Sequence, residues 1–297
     1  MSEPISEAAT ARASFERLLA ELRPKLHRYC ARMTGSVIDG EDVVQDAMLK
    51  ALAAFGEADA LANPEGWLFR IAHNTALDHL RRRARQAAIR SDEDPDMLVD
   101  PTPAEDRLAA AAGLRTFMRL PVAQRSSIIL MDVLGYSLDE IGGVTALSVP
   151  AIKASLHRGR ARLRELAQEP DDSPLPVLNE PERSRLAAYV ERFNARDFDA
   201  VRDMLADEVR LELVNRTRLN GRREVNTYFG NYGKFHDWRF VAGFVDRRPA
   251  VLVRRPDDSG RPAYFVLLEW AGENVVTIRD FRHARYATDG AEMIAVG

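Results

Sequence analysis

The chain has 297 residues, of which 46% are hydrophobic and 29% charged, with a formal net charge of −3. That length calls for two or three domains, and the near-neutral balance excludes indiscriminate nucleic-acid binding, so any basic surface must be local. A single cysteine, Cys30, excludes an internal disulfide and a multi-cysteine zinc site. The six histidines show no metal-ligand spacing, so no metal or cofactor is expected. The opening "MSEPISEAATARASF" lacks the apolar centre of a signal peptide, and no apolar run reaches the ~18 residues of a membrane span. The expectation is a soluble, cytoplasmic chain in a reducing compartment, with no membrane partner.

In chain order, Ser14 to Met33 has apolar residues at helical spacing, with Gly35 as its stop. "DGEDVVQDAMLKALAAF" follows as a second helix, with Asp39 as the expected N-cap and Glu41 and Asp42 in its first turn. The third, "GWLFRIAHNTALDHLRRRAR" at 66–85, is two-faced at 100° per residue. Leu68, Phe69, Ala72, Ala76 and Leu80 fall on one side, and Arg70, Asn74, Asp78, Arg81 and Arg85 on the other, with Trp67 at their head. Six Arg against one Asp between Gly66 and Arg90 exceed what a helix C-terminus requires and imply a negative partner. Two acidic, proline-containing stretches, 91–106 and 169–181, read as linkers. They divide the chain into 10–90, 107–168 and 182–297.

The middle segment reads as a helix-turn-helix. Pro121 suits the start of a helix containing Ile128, Ile129 and Val133. Ser137 with Glu140 three residues on forms a capping box for the next. After a turn at 146–148, a third helix has Val149, Ile152, Leu156 and Leu163 inside. Pro150, Ala151, Ala154, Ser155, Arg158 and Arg162 point outward, flanked by Lys153, His157 and Arg160. Two helices, a tight turn and a basic second helix form a DNA-reading geometry. A helical bundle with an exposed basic face has the same local pattern.

Together, "DGEDVVQDAMLKAL", "WLFRIAHNTALDHLRRRAR" and "LPVAQRSSIILMDVLGYSLDEI…SLHRGRARLRE" resemble conserved regions 2 and 4 of the extracytoplasmic-function (ECF) RNA polymerase sigma factors. The resemblance covers about residues 10–168. It implies a region 2 helical bundle and a region 4 helix-turn-helix, with core RNA polymerase (the β′ clamp and the β subunit) and promoter DNA as partners. Asp42, Gln45 and Asp46 match positions that face the clamp. Asn74 matches the position that contacts a flipped −10 base, with Trp67, Arg70, Arg81, Arg82 and Arg85 as further −10 strand candidates. Lys153, Ser155, His157, Arg158, Arg160 and Arg162 are the −35 candidates. The loop 56–66 is implied in base choice, and the acidic linker, with Asp92, Glu93, Asp94, Asp96 and Asp100, in threading toward the RNA path. Ala146 stands where the family commonly has Gly, Pro150 removes an N–H early in the recognition helix, and Ala154–Ser155 replace a usual Ser-Arg pair.

Beyond residue 180, helical stretches at Pro181–Asn194 and Asp199–Leu205 precede β-rich runs such as "AYFVLLEW" and "NVVTIRDF", an α+β pattern. "YVERFNARDFDAVRDMLADEVRLELV" resembles the SnoaL-like branch of the NTF2-like fold, which implies a cone with a pocket. Tyr228, His236, Asp280 and His283 are its candidate polar residues, for a small-molecule or intramolecular ligand. "VDRRPAVLVRR" resembles a hairpin of such fused domains, with Asp246 and Arg247 where Asn-Gly is frequent. The leading expectation is a non-catalytic sigma factor directing initiation at −10/−35 promoters, regulated in cis by this domain. A ligand-responsive DNA-binding regulator, or an isomerase or cyclase fused to a DNA-binding module, are the alternatives.

Overall fold

The computed structural model describes residues 4–55, 63–88, 113–169, 176–234, 236–255 and 260–296. The loop 56–62 and the acidic linker residues Asp92 to Asp100 lie outside them. The chain divides into two compact units, Met1–Asp171 and Asp172–Gly297.

The first unit is helical: α1 (Pro4–Thr34), α2 (Val37–Ala53), α3 (Pro64–Ala88), α4 (Leu114–Met118), α5 (Val122–Ile128, continuing through a π-turn at Ile129–Val133), α6 (Leu138–Thr145) and α7 (Val149–Gln168). Ser36, rather than Asp39, caps α2, its Oγ accepting from the Ile38 and Asp39 N–H groups. Asp39 sits one turn in, buried, and pairs with Arg83 of α3. The capping box at Ser137–Glu140 is formed as expected, and Ser148 caps α7. Two glycines permit close helix approach: a Cβ on Gly40 would strike the Ala31 backbone, and one on Gly159 would meet Ile128 Cδ1 at 2.6 Å. The seven helices among the described residues share one continuous apolar core, from Phe15, Leu26, Tyr29, Phe69 and Ala72 through Phe117, Ile128, Ile141, Ile152 and Leu166. No helix among the described residues is long and apolar enough to cross a membrane.

Two buried histidines of this core are hydrogen-bonded. His27 Nε2 donates to the Val37 carbonyl at 2.9 Å, and the Tyr29 hydroxyl and His73 Nδ1 are hydrogen-bonded at 2.6 Å. Burial lowers both histidines to about 4.

The second unit is α+β: α8 (Glu180–Asn194), α9 (Phe198–Asp203), β1 (Leu205–Leu213), β2 (Thr217–Asn220), α10 (Gly221–Gly233), β3 (Arg239–Val245), β4 (Arg248–Arg254), β5 (Tyr264–Ala271), β6 (Asn274–Asp280), α11 (Arg285–Thr288) and β7 (Met293–Ala295). The sheet order is β2-β1-β6-β5-β4-β3-β7. Alternation decides its faces. Tyr264 and Val266 of β5 point into the core with Tyr189 and Phe193 of α8 and Tyr228 and Phe229 of α10, whereas Phe265 turns the other way and stacks on Phe281 at 4.2 Å. The β3–β4 turn places both Asp246 (φ 46°) and Arg247 (φ 66°) in the left-handed region, the geometry for which Asn-Gly is favoured. Asp246 ties this turn to the approach of β7, donating its N–H to the Glu292 carbonyl and accepting from the Glu292 N–H.

Ala146 closes α6 with φ 60°, a conformation its Cβ penalises. Ala146→Gly should therefore stabilise the helical unit by roughly 0.5–1 kcal/mol net of the entropy Gly adds to the unfolded chain, read as a raised urea midpoint with unchanged slope; an unchanged or lowered midpoint refutes it. The two histidines give a second expectation. Their folded pKa values near 4 lie below the ordinary 6.5, so their contribution is present in full above pH 6.5 and lost as pH falls through about 4. Unfolding near pH 5 should take up nearly two protons from this pair, a slope of about 2.5 kcal/mol per pH unit. Urea titrations at pH 7, 6 and 5 measure it, and a pH-independent midpoint excludes it.

Candidate nucleic-acid interface

Helix α3 is fixed by its apolar face and offers the other. Leu68, Phe69, Ala72 and Ala76 are buried, along with His73 and Thr75. Arg70, Asn74, Asp78, Arg81, Arg82 and Arg85 are exposed and recur at three- and four-residue intervals along one side. The arginines are laid along their own helix: Arg81 pairs with Asp78 at 3.0 Å, Arg82 Nε donates to the Asp78 carbonyl and Arg85 Nε to the Arg81 carbonyl. Trp67 leaves this row. It is half-buried and packs on the core, its ring 6.3 Å from Phe15.

On α2, Asp42 and Gln45 are half-buried and Asp46 is exposed. Leu49, one turn on, continues the same stripe and is 57% exposed. Sequence reasoning passed over Leu49 as one more apolar residue of a helical pattern, yet the spacing 42, 45, 46, 49 marks it.

Helix α7 corrects two expectations. Ser155 does not face outward: it is 4% exposed, one turn from buried Ile152 and Gly159, on the inner face. The inner stripe runs Ile152, Ser155, Leu156, Gly159, Leu163 and Leu166, so the outward face is rotated from the expected one. Arg160 is committed elsewhere, donating from Nε and Nη2 to both oxygens of Asp132 at 3.0 and 2.6 Å, and so ties α7 to the π-turn. Lys153 and His157 are exposed, and Arg158 is half-buried. Arg162 is half-buried and pairs with Glu165 at 2.7 Å.

In the second unit the four pocket candidates separate. Tyr228 and Asp280 meet, the Tyr228 hydroxyl donating to Asp280 Oδ2 at 2.9 Å. His236 and His283 are exposed and join no such cluster, because one lies in the loop after α10 and the other beyond the end of β6. In their place stand Tyr232, which donates to Asp280 Oδ2 at 2.8 Å, and Tyr264, 2.9 Å from the Tyr232 hydroxyl. The Arg282 N–H donates to Asp280 Oδ1 at 2.7 Å. Burial raises the Asp280 carboxyl, opposed by these donors, and burial next to Asp280 pushes the Tyr228 and Tyr232 hydroxyls well up. The Tyr189 hydroxyl is buried with no hydrogen-bond partner among the described residues. No group of three or more His, Cys, Asp or Glu among the described residues could hold a metal ion.

Comparison with known proteins matches two segments of the helical half. The family description Sigma-70 region 2 matches residues 18–86, and Sigma-70, region 4, matches residues 114–163. The ECF RNA polymerase sigma factor SigM of Mycobacterium tuberculosis is 34% identical over 160 residues, covering 52% of this chain and 78% of that protein. SigG of the same organism, also an ECF sigma factor, is 28% identical over 308 residues, covering 92% of this chain and 81% of its own. A crystal structure of an NTF-2 like protein of unknown function from Burkholderia xenovorans is similar to the C-terminal part, with TM-score 0.27 and 20% identity, covering 34% of this chain and 81% of that one. With region 2 and region 4 matched in order and a relative of this identity covered over most of its length, the chain belongs to the ECF RNA polymerase sigma factors.

Proposed function

We propose that this sigma factor recognises its promoter through two exposed helix faces and is regulated in cis by its C-terminal unit. The observation that carries the reading is the split of α3, whose buried Phe69, Ala72 and Ala76 anchor a face on which Asn74 stands between Arg70 and the arginines at 81, 82 and 85. Asn74 takes a base pulled from the −10 strand, because an amide can both donate to and accept from a base edge. Arg70, Arg81, Arg82 and Arg85 follow the phosphates, a salt-dependent contribution that carries no sequence information. Trp67 serves as packing at the head of that track.

Lys153, His157 and Arg158 of α7 are the −35 contacts, Arg162 adds charge further along, and Ser155 and Arg160 support the helix from inside. Asp42, Gln45 and Asp46, joined by Leu49, dock on core RNA polymerase. Such a factor works in the compartment of the polymerase, the bacterial cytoplasm, by binding and strand capture without a catalytic residue of its own. A second reading, that the C-terminal unit takes a small polar ligand, is favoured by the unpartnered Tyr189 hydroxyl in the tyrosine-rich interior around Asp280.

In-vitro transcription with core polymerase, on promoters selected from a random library, tests the proposal. The full chain and a chain ending near Glu169 are both expected to transcribe, with different output. Asn74→Ala should lower output about tenfold or more, as one base contact is worth about 1–3 kcal/mol. Equal output from the two lengths would exclude regulation in cis, and an Asn74→Ala chain as active as the parent would remove Asn74 from the −10 contact.

A further inference from the structure

We propose that the outer face of the second unit's sheet carries a site for a small organic anion, an oxyanion head on an apolar body. The site lies across the sheet from Asp280 and its tyrosines and does not depend on the promoter reading. Register places its charges. Strands β3 and β4 pair antiparallel with Arg239 directly opposite Arg254, so both side chains leave the same side of the sheet, their Cα atoms about 5 Å apart. That side is the outer one, because the flanking Phe240 and Val253, themselves a cross-strand pair, belong to the inner core.

Like charges directly opposite each other on two strands are destabilising. Farther along the same face the charge is matched, Glu212 of β1 taking both Arg218 of β2 and Arg279 of β6 at 3.2 and 2.9 Å. Arg239 and Arg254 are treated differently: neither is joined to a carboxylate among the described residues. The Arg254 Nε is moreover buried with no hydrogen-bond acceptor among them. A facing pair of cations left in this state calls for a negative charge from outside the chain.

Beside the pair there is room for one. A cleft of about 460 Å³ is lined by Arg254 and Arg261 together with the apolar Pro262, Ala291, Met293 and Ala295. Small-molecule sites measure about 300–1,000 Å³. Arg261 is held in place, its Nη2 donating to the Thr288 and Asp289 carbonyls at 3.4 and 3.1 Å, which leaves Nε and Nη1 for an outside acceptor. Met293 and Ala295 of β7 reach the cleft because Ile294 between them turns to the inner core. Guanidinium forks match the planar oxygens of a carboxylate or the oxygens of a phosphate. The apolar remainder of the wall suits a short hydrocarbon body. A nucleic-acid backbone fits less well, since it would bring repeated charge to a wall that is mostly apolar.

Calorimetric titration of the full chain with hexanoate, hexyl phosphate and hexan-1-ol tests the site. At least one of the two anions should bind saturably with a Kd below ~10 mM, the tighter one identifying the head group, and hexan-1-ol should not. Arg254→Gln should weaken that binding about tenfold or more, as expected for the loss of a charge-assisted contact. No binding of either anion, equal binding of hexan-1-ol, or unchanged affinity in Arg254→Gln overturns the proposal. The chain without ligand gives an independent readout. Removing one of two facing cations relieves their repulsion, so Arg239→Gln should raise the melting midpoint of the second unit by about 2–5 °C. An unchanged or lowered midpoint would mean that the charge is already neutralised within the chain, and overturns the site as well. Silence in transcription would leave both readouts untouched, so this site and the promoter reading fail separately.

Discussion

Arg125 brings a guanidinium into the helical unit, where it meets the neutral carbonyls of Met33, Met118 and Leu120 and the Met118 sulfur, and the ends of α1 and α4 are fitted around it. A buried charge without a counter-charge is costly unless its donors are well used. Here the Nε has no partner among the described residues, and burial holds the group down to about 10. The surrounding apolar core must therefore supply the cohesion, with the guanidinium fixing the register of the join. Nearer the surface the charge is paired: Lys25 and Glu65 form an ion pair that Tyr136 joins through its hydroxyl, and Glu65 is held below its usual range by the Lys25 and Tyr136 hydrogen bonds against an opposing burial penalty.

The arrangement of α3 follows from the same economy of contacts. Its buried side includes not only Phe69 and Ala72 but His73, whose imidazole is kept neutral by burial and meets Tyr29. The helix is therefore fixed in rotation about its axis by one polar pair as well as by apolar packing. A small residue such as Asn74 reaches outward by only a few bonds, so it can select a base only if the helix beneath it does not turn.

Much of this was legible in the chain itself. The two-sidedness of α3, the Ser137–Glu140 cap and the α+β character beyond residue 180 follow from local spacing that tertiary contacts did not override. The errors have physical causes. Asp39 looked like a cap because acidic residues crowd the start of α2, but Ser36 sits three residues earlier and Asp39 is used against Arg83. Ser155 was placed outward on one stripe with Ala151, Ala154, Arg158 and Arg162, although its spacing from Ile152 and Gly159 is that of the inner face. Helix α10 escaped because Gly221, Gly230 and Gly233 lower its propensity. Its buried Val225, Tyr228, Phe229 and Tyr232 nevertheless carry the helical period. Arg160 and Arg125 could not have been assigned from sequence, since their roles depend on Asp132 and Met33, 28 and 92 residues away.

The charge on α3 finally bears on how affinity and selectivity are divided. Among the described residues, Arg81, Arg82 and Arg85 are exposed and paired with Asp78 and with carbonyls of their own helix. Such surface contacts are worth at most about 1 kcal/mol and are exchanged readily for phosphates. The arginine track thus starts in a weakly held, pre-aligned state, and what it would gain on the proposed DNA strand would come largely from released counterions, which salt erodes. Asn74 is neutral, and the base contact proposed for it would have no such dependence. On a chain whose net charge is −3, the selector proposed at Asn74 would be an uncharged residue seated inside a short cationic track, so rising salt would weaken attachment while leaving the choice among bases largely unchanged.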